Sequence, residues 1–178
     1  MDAATAEFAA FGIAGARVDR IAATAAVNKA QMYGWFVSKD GLFEAVFSRH
    51  LHRIVDAVPF TADDLPGYAV GLYDAYLTDP ELVRLASWNR LEKVPTGDLL
   101  IAHPGLTEAK FDAIARAQTG GRIVGGIRPE EIYALVISLA GTWSPVSATF
   151  TASQQDDPAD HERRRSVLRE IVTRAFRP

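Results

Sequence analysis

The chain has no cysteine among its 178 residues. That absence excludes a disulfide scaffold, an iron–sulfur cluster, a cysteine nucleophile and a zinc finger, and it agrees with a reducing compartment. A dominant charge of one sign is also missing. Nineteen basic residues stand against 22 acidic ones, for a formal charge of −3. A nucleic-acid function therefore needs a local basic patch, because the global field is weakly acidic. Long apolar runs are missing too. The longest, Ile132 to Ala140, falls well short of the ~20 residues of a membrane span and carries Tyr133 and Ser138. No basic segment followed by an apolar one opens the chain, so no signal peptide is expected. The expectation is a soluble, cytoplasmic protein without a membrane partner.

What is present is ordinary globular material, 48% apolar and 23% charged, which argues against disorder. Strand-like alternation is scarce, and apolar residues recur at three and four, so the chain reads as all-helical. A first helix spans Asp2 to Phe11 and stops at Gly12. Ile13 to Ala16 forms a connector, and Val18 to Ala25 a short second helix. Asn28 is a good N-cap for a third short helix ending near Trp35. Ser38 caps a fourth, whose stripe runs through Leu42, Phe43, Val46, Phe47, Leu51 and Ile54 before Pro59.

Residues 57–178 read as a second, helical unit. Asp63 or Asp64 caps a helix carrying Tyr68, Leu72, Tyr73 and Tyr76. Pro80 opens another through Leu82, Leu85, Trp88 and Leu91. Pro95, Gly97, Pro104 and Gly105 mark a loop over residues 95–105. A helix follows over Thr107 to Gln118. A long apolar helix is expected from about 129 to 150, kinked at Pro145. A break at Asp156 to Asp160 precedes a last helix to Phe176, with Val167, Leu168, Ile171, Val172 and Phe176 on one side.

The first 56 residues carry the most specific signal. Three short helices joined by a tight turn at Ala25-Ala26-Val27 form a helix-turn-helix arrangement. The third helix shows an exposed face of Lys29, Ala30, Gln31 and Gly34 and a buried face of Met32, Trp35 and Phe36. Small and polar residues facing out let such a helix enter a major groove, where Gln and Lys reach base edges. The Lys39 ammonium beside the backbone N–H groups of the next helix start suits a phosphate. Read without this pattern, the same helix is an ordinary surface helix of a bundle, and Lys39 a solvated lysine.

The run Asn28-Lys29-Ala30-Gln31-Met32-Tyr33-Gly34-Trp35-Phe36-Val37-Ser38-Lys39-Asp40-Gly41-Leu42-Phe43, with Ile21-Ala22 and Phe8 to Gly12 before it, resembles the DNA-binding head of the TetR family of regulators. The resemblance covers residues 2–55; the rest matches only in the number and length of its helices. It implies an all-α protein, with a three-helix helix-turn-helix head over residues 1–56 and a helical ligand-binding and dimerisation bundle over 57–178. It places Lys29, Ala30, Gln31 and Gly34 where base contacts occur, and Arg17, Tyr33 and Lys39 where phosphate contacts occur. It also implies a homodimer paired through the last two helices, and a small-molecule effector that releases a palindromic double-stranded operator. The departures are Ala26 where the family usually has glycine, Gly34 where a larger side chain is usual, and Ala16 where a threonine often caps. The family also usually has several more residues, often basic, before the position of Asp2. The head itself is neutral, with six basic residues (Arg17, Arg20, Lys29, Lys39, Arg49, Arg53) and six acidic ones (Asp2, Glu7, Asp19, Asp40, Glu44, Asp56).

A bundle interior can host a ligand, and Tyr73, Tyr76, Trp88, Asn89, Phe111, Ser138 and Trp143 are the candidate pocket residues. Their aromatic content suggests an apolar or aromatic effector, although each aromatic also reads as plain core. No cofactor is expected. The histidines His50, His52, His103 and His161 form no metal-ligand spacing. The Gly120 to Gly126 run lacks the lysine of a phosphate loop, and Gly141-Thr142-Trp143-Ser144-Pro145 is not a nucleophile elbow. No catalytic residue is assigned and no enzyme is expected. The alternative to a regulator is a helical small-molecule-binding protein whose head is truncated or does not bind DNA.

Overall fold

The structure is a computed structural model and describes residues 1–100, 103 and 105–178. Nine α-helices and no strand occur among the described residues. They sort into two compact units, Met1–Val55 with Pro80–Ile101, and Asp56–Asp79 with Ala102–Pro178.

The first unit contains α1 (Asp2–Gly15), α2 (Val18–Thr24), α3 (Lys29–Phe36), α4 (Lys39–Val55) and α6 (Pro80–Glu92). α1 runs three residues past the stop read at Gly12, but Gly12 is the break inside it, at φ 70 and ψ −177. Asn28 caps α3 as expected, its side chain accepting from the Ala30 N–H at 2.8 Å. The Ser38 hydroxyl accepts from the Gly41 N–H at 2.9 Å and starts α4. The core joins α1 to α4. Phe8 meets Phe43 edge-on with centroids 5.2 Å apart, Phe43 stacks on Phe47 at 6.0 Å, and Val46 and Leu85 are fully buried with them. Each such side chain contributes about 1.5–3 kcal/mol of apolar transfer. α6 packs against α1 and α4, so its residues belong with the head and not with the bundle.

The second unit contains a one-turn 3-10 helix (Ala62–Asp64), α5 (Leu65–Thr78), α7 (Glu108–Thr119), α8 (Pro129–Ala140), another 3-10 turn (Gly141–Trp143) and α9 (Pro158–Phe176). α5 lies against α8 and α9, and α7 against α8. Asp64 caps α5 through the Gly67 N–H at 2.8 Å. The core holds Leu65, Leu72, Tyr73, Ile114, Ile132, Val136 and Val172.

Two expectations for this unit need correction. The long helix to Phe150 ends at Ala140. Gly141 is its C-cap, and Ser144 takes the extended conformation (φ −74, ψ 171) that a residue before proline prefers. Pro145 therefore follows the helix and does not kink it. The last helix starts at Pro158, inside the stretch read as a break, because Asp157 caps it through the Ala159 N–H at 2.8 Å and proline fits the first turn. On α9 the buried line is His161, Arg164, Leu168, Val172 and Phe176. Val167 and Ile171, read as part of the same stripe, are exposed.

The loop over 95–105 is non-helical where described; its Pro104 lies outside the described residues. No helix among the described residues is long and apolar enough to cross a membrane.

Candidate nucleic-acid interface

The turn between α2 and α3 is tight. Ala26 takes φ 53 and its N–H donates to Ala23 O at 3.2 Å, while the Val27 N–H donates to Ala22 O at 3.0 Å. A left-handed alanine is strained, because its Cβ crowds the following carbonyl. The turn thus keeps its left-handed residue with alanine in place of the glycine usual in the family the head resembles.

α3 presents Lys29, Ala30, Gln31, Tyr33 and Gly34 to solvent, and Arg17 before α2 is exposed with them. Nothing lies within 4 Å of where a Gly34 Cβ would stand, so the glycine leaves open space on the reading face. Met32 is buried as read, and Phe36 is half-buried. Trp35 is not buried: it is 60% exposed and touches the Phe36 ring edge-on at 6.4 Å. Trp35, three residues on, stands only about 60° from Met32 around the axis, so helical spacing alone puts it on the buried side and does not show that the core stops short of it. Beside it, Val37 is 84% exposed at φ 62 and ψ −44, and the Ser38 N–H closes back on Phe36 O at 2.6 Å. A β-branched residue held there is an outlier of the strained γ-turn kind. Strain of this sort collects at functional sites. Both residues were missed as surface features, because a Trp-Phe-Val run reads as core in a sequence.

The charges of the head are paired more closely than composition shows. Lys29 Nζ lies 2.6 Å from Asp19 Oδ1. The hydrogen bond of this pair holds the Asp19 carboxyl below its usual range and the Lys29 ammonium above its own. Glu7 is buried, which opposes its charged form, but hydrogen bonds from the Arg20 guanidinium and the Arg17 N–H outweigh burial and hold its carboxyl low. Arg20 also lies over the Phe11 ring at 4.2 Å. Lys39 is half-buried, and its ammonium donates to Ala14 O at 2.9 Å and Ala16 O at 3.2 Å. An ammonium has three donors, and these two carbonyls take two of them. Lys93, after α6, lies 2.9 Å from Asp40 and 3.7 Å from Glu44. It offsets two of the six head carboxylates from outside the first 56 residues, which no local reading could find.

The candidate pocket residues are brought together only in part: Tyr73, Tyr76, Phe111 and Trp143 share the core of the second unit. Trp88 and Asn89 sit on α6 in the first unit, where the Trp88 indole N–H donates to Ala9 O at 3.3 Å. Ser138 is exposed, because the inward positions of α8 are Ile132, Tyr133, Val136 and Ala140. Phe111 meets Tyr133 edge-on at 5.6 Å. Tyr76 is half-buried against the core, and burial pushes its hydroxyl up to about 12. Tyr73 and Trp143 do meet, edge-on at 5.8 Å, and the Tyr73 hydroxyl lies 2.7 Å from His161 Nδ1. A cavity of about 400 Å³ in this unit is lined by Trp143, Phe150, Asp160, Arg163, Arg164 and Val167. Arg164 is buried there. It pairs with Asp156 at 2.8 Å, and its guanidinium lies over the Phe150 ring at 5.2 Å. Among the described residues no group of three His, Cys, Asp or Glu could hold a metal ion.

Comparison with known proteins agrees with this geometry. Residues 1–46 match the model of the bacterial regulatory proteins of the tetR family, and residues 64–174 match the tetracyclin repressor-like C-terminal domain. The HTH-type transcriptional repressor SCO4008 of Streptomyces coelicolor is 34% identical over 149 residues, covering 82% of this chain and 76% of that protein. The crystal structure of SCO4942 from the same organism, described as that of a transcriptional regulator, is 37% identical. It superposes with a TM-score of 0.81 over 99% of this chain and 96% of that one. A TetR family regulator from Pseudomonas syringae pv. tomato shares the fold, at 23% identity and a TM-score of 0.64 over 98% and 93% of the two chains. A helix-turn-helix with an exposed third helix, and family models and a relative that match most of its length, make this chain a DNA-binding transcriptional regulator of the TetR family.

Proposed function

We propose that the protein is a repressor, released from a palindromic operator by an apolar or aromatic small molecule. The observation that carries the DNA half is α3: a short capped helix with Lys29, Ala30, Gln31 and Gly34 exposed on one side. In this reading those four residues face base edges in the major groove, and Arg17, Tyr33 and Lys39 hold phosphates. Residues 1–56 carry DNA binding and 57–178 carry effector and dimer functions, with α6 folded onto the head.

Regulators of this family usually form dimers. The interface proposed here uses α8 and α9, whose exposed apolar residues Leu135, Val167 and Ile171 support it. A two-fold dimer places two reading helices on successive major grooves, so the operator would be palindromic. The effector would enter the bundle near Tyr73 and Trp143. It would favour a body conformation that moves the segment from Ile54 to Pro59, where α4 ends, and α5, changing the separation of the heads. Acting on chromosomal DNA, the protein would work in the cytoplasm.

The test is selection of bound duplexes from a random pool at two salt concentrations, paired with sedimentation of the wild type and Ile171→Glu. Enrichment of a palindrome, weakened by salt, and a dimer converted to monomer by the glutamate are the expected results. A half-site without symmetry would overturn the dimeric reading, and a dimer that tolerates Ile171→Glu would overturn the α8–α9 interface.

A further inference from the structure

Glu92 closes α6, and its carboxylate reaches a backbone that lies almost 80 residues away in sequence. Oε1 accepts from the Ile13 N–H at 3.0 Å and Oε2 from the Ala14 N–H at 2.7 Å. These donors exist because Gly12, at φ 70, breaks α1 and starts one further turn, whose first N–H groups have lost their carbonyl partners four residues back. A carboxylate is the favoured acceptor there. Gly12 is also needed for the approach: a Cβ at that position would stand 2.5 Å from Glu92 Oε1 and 2.9 Å from Trp88 Cε3. The other end of the same short turn is gripped by Lys39, whose ammonium holds Ala14 O and Ala16 O. The peptide groups of Ala14 are thus fixed from both sides, with Glu92 on its N–H and Lys39 on its C=O. Arg17 follows within three residues.

We infer that Glu92 is a positioning residue of the DNA interface: through the Ile13–Ala16 turn it sets where the Lys39 ammonium stands relative to a phosphate. This rests on Lys39 contacting a phosphate. Loss of Glu92 frees the turn, and Lys39 then follows the two carbonyls away from its place. Simple electrostatics gives the opposite expectation, since removing a negative charge should strengthen binding to a polyanion. The direction of the effect therefore separates positioning from charge.

The experiment measures affinity for the duplex recovered from the random-pool selection, across a salt series, for wild type, Glu92→Ala, Glu92→Gln, Lys39→Ala and the double variant Glu92→Ala with Lys39→Ala. Glu92→Ala should weaken binding about tenfold and make the log–log salt slope shallower by about 0.9, the value of one phosphate contact. Glu92→Gln, which keeps one acceptor oxygen, should fall between. The double variant should bind no more weakly than Lys39→Ala alone, because the two residues act through one contact. Additive losses, or an affinity that rises with Glu92→Ala, overturn the inference. A Lys39→Ala variant with unchanged affinity and slope overturns the phosphate reading beneath it, and is distinguishable from both. Amide exchange of the free protein guards against general unfolding. Ile13 and Ala14 should exchange faster in Glu92→Gln while the α4 amides keep their protection; loss of protection throughout the unit also overturns the inference.

Discussion

Lys29 Nζ and Asp19 Oδ1 lie 2.6 Å apart, which ties the first basic residue of the reading helix to the helix before it. The pair holds α2 and α3 together at their exposed edge, and it also engages the cation that α3 would bring to DNA. Both side chains are half or more exposed, so the bond itself adds little to stability.

Asp19→Asn should therefore leave the melting temperature nearly unchanged and strengthen duplex binding severalfold. The log–log salt slope should change by less than the about 0.9 of one phosphate contact, because Lys29 is freed to face base edges. Fluorescence anisotropy across a salt series checks this. Weaker binding would show that the pair is needed to aim Lys29.

Trp35→Ala tests whether the exposed indole belongs to the DNA interface. At 60% exposure the truncation should change folding stability by no more than about 0.5 kcal/mol. Operator affinity should fall about tenfold. A large drop in melting temperature with unchanged affinity would return Trp35 to a packing role.

Ala26→Gly should stabilise the protein. A left-handed alanine costs about 1–2 kcal/mol, and the extra unfolded-state freedom of glycine takes back about 0.4–1 kcal/mol. The net gain should be about 0.5–1 kcal/mol by urea titration of the Ala26 turn (φ 53). A loss of stability would show that the turn is not strained.

Glu7 gives a pH dependence with a definite sign. Its carboxyl is held below the ordinary 4.5 in the folded protein, where burial is outweighed by the Arg20 and Arg17 hydrogen bonds. The unfolded chain therefore binds this proton at a higher pH than the folded one. The contribution is fully present above about pH 4.5 and is lost as pH falls through the lower, folded value. Glu7→Gln should remove about 1–3 kcal/mol at neutral pH and flatten the melting profile below pH 4.5. An equally steep acid profile in the variant would assign the dependence to other carboxylates.

The local elements of the head were legible in its sequence because their determinants are local. Asn28 caps α3, Ser38 starts α4, Gly12 breaks α1 and Ala26 takes the positive φ its turn demands. Each depends on one residue and its near neighbours in the chain. The all-helical class followed from apolar spacing in the same way. The apolar run after Ala140 misled because helix continuation depends on the backbone before Pro145, not on hydrophobicity.

What only the tertiary structure decided is which distant side chains meet. α6 joins the head, so Glu92 reaches the Ile13 and Ala14 N–H groups and Lys93 reaches Asp40 and Glu44. Trp88 and Asn89 leave the pocket with it, Trp35 turns outward, and Arg164 turns inward to Asp156. These outcomes rest on packing between elements far apart in the chain. Periodicity shows that a helix has a face to bury, but not which other helix will cover it.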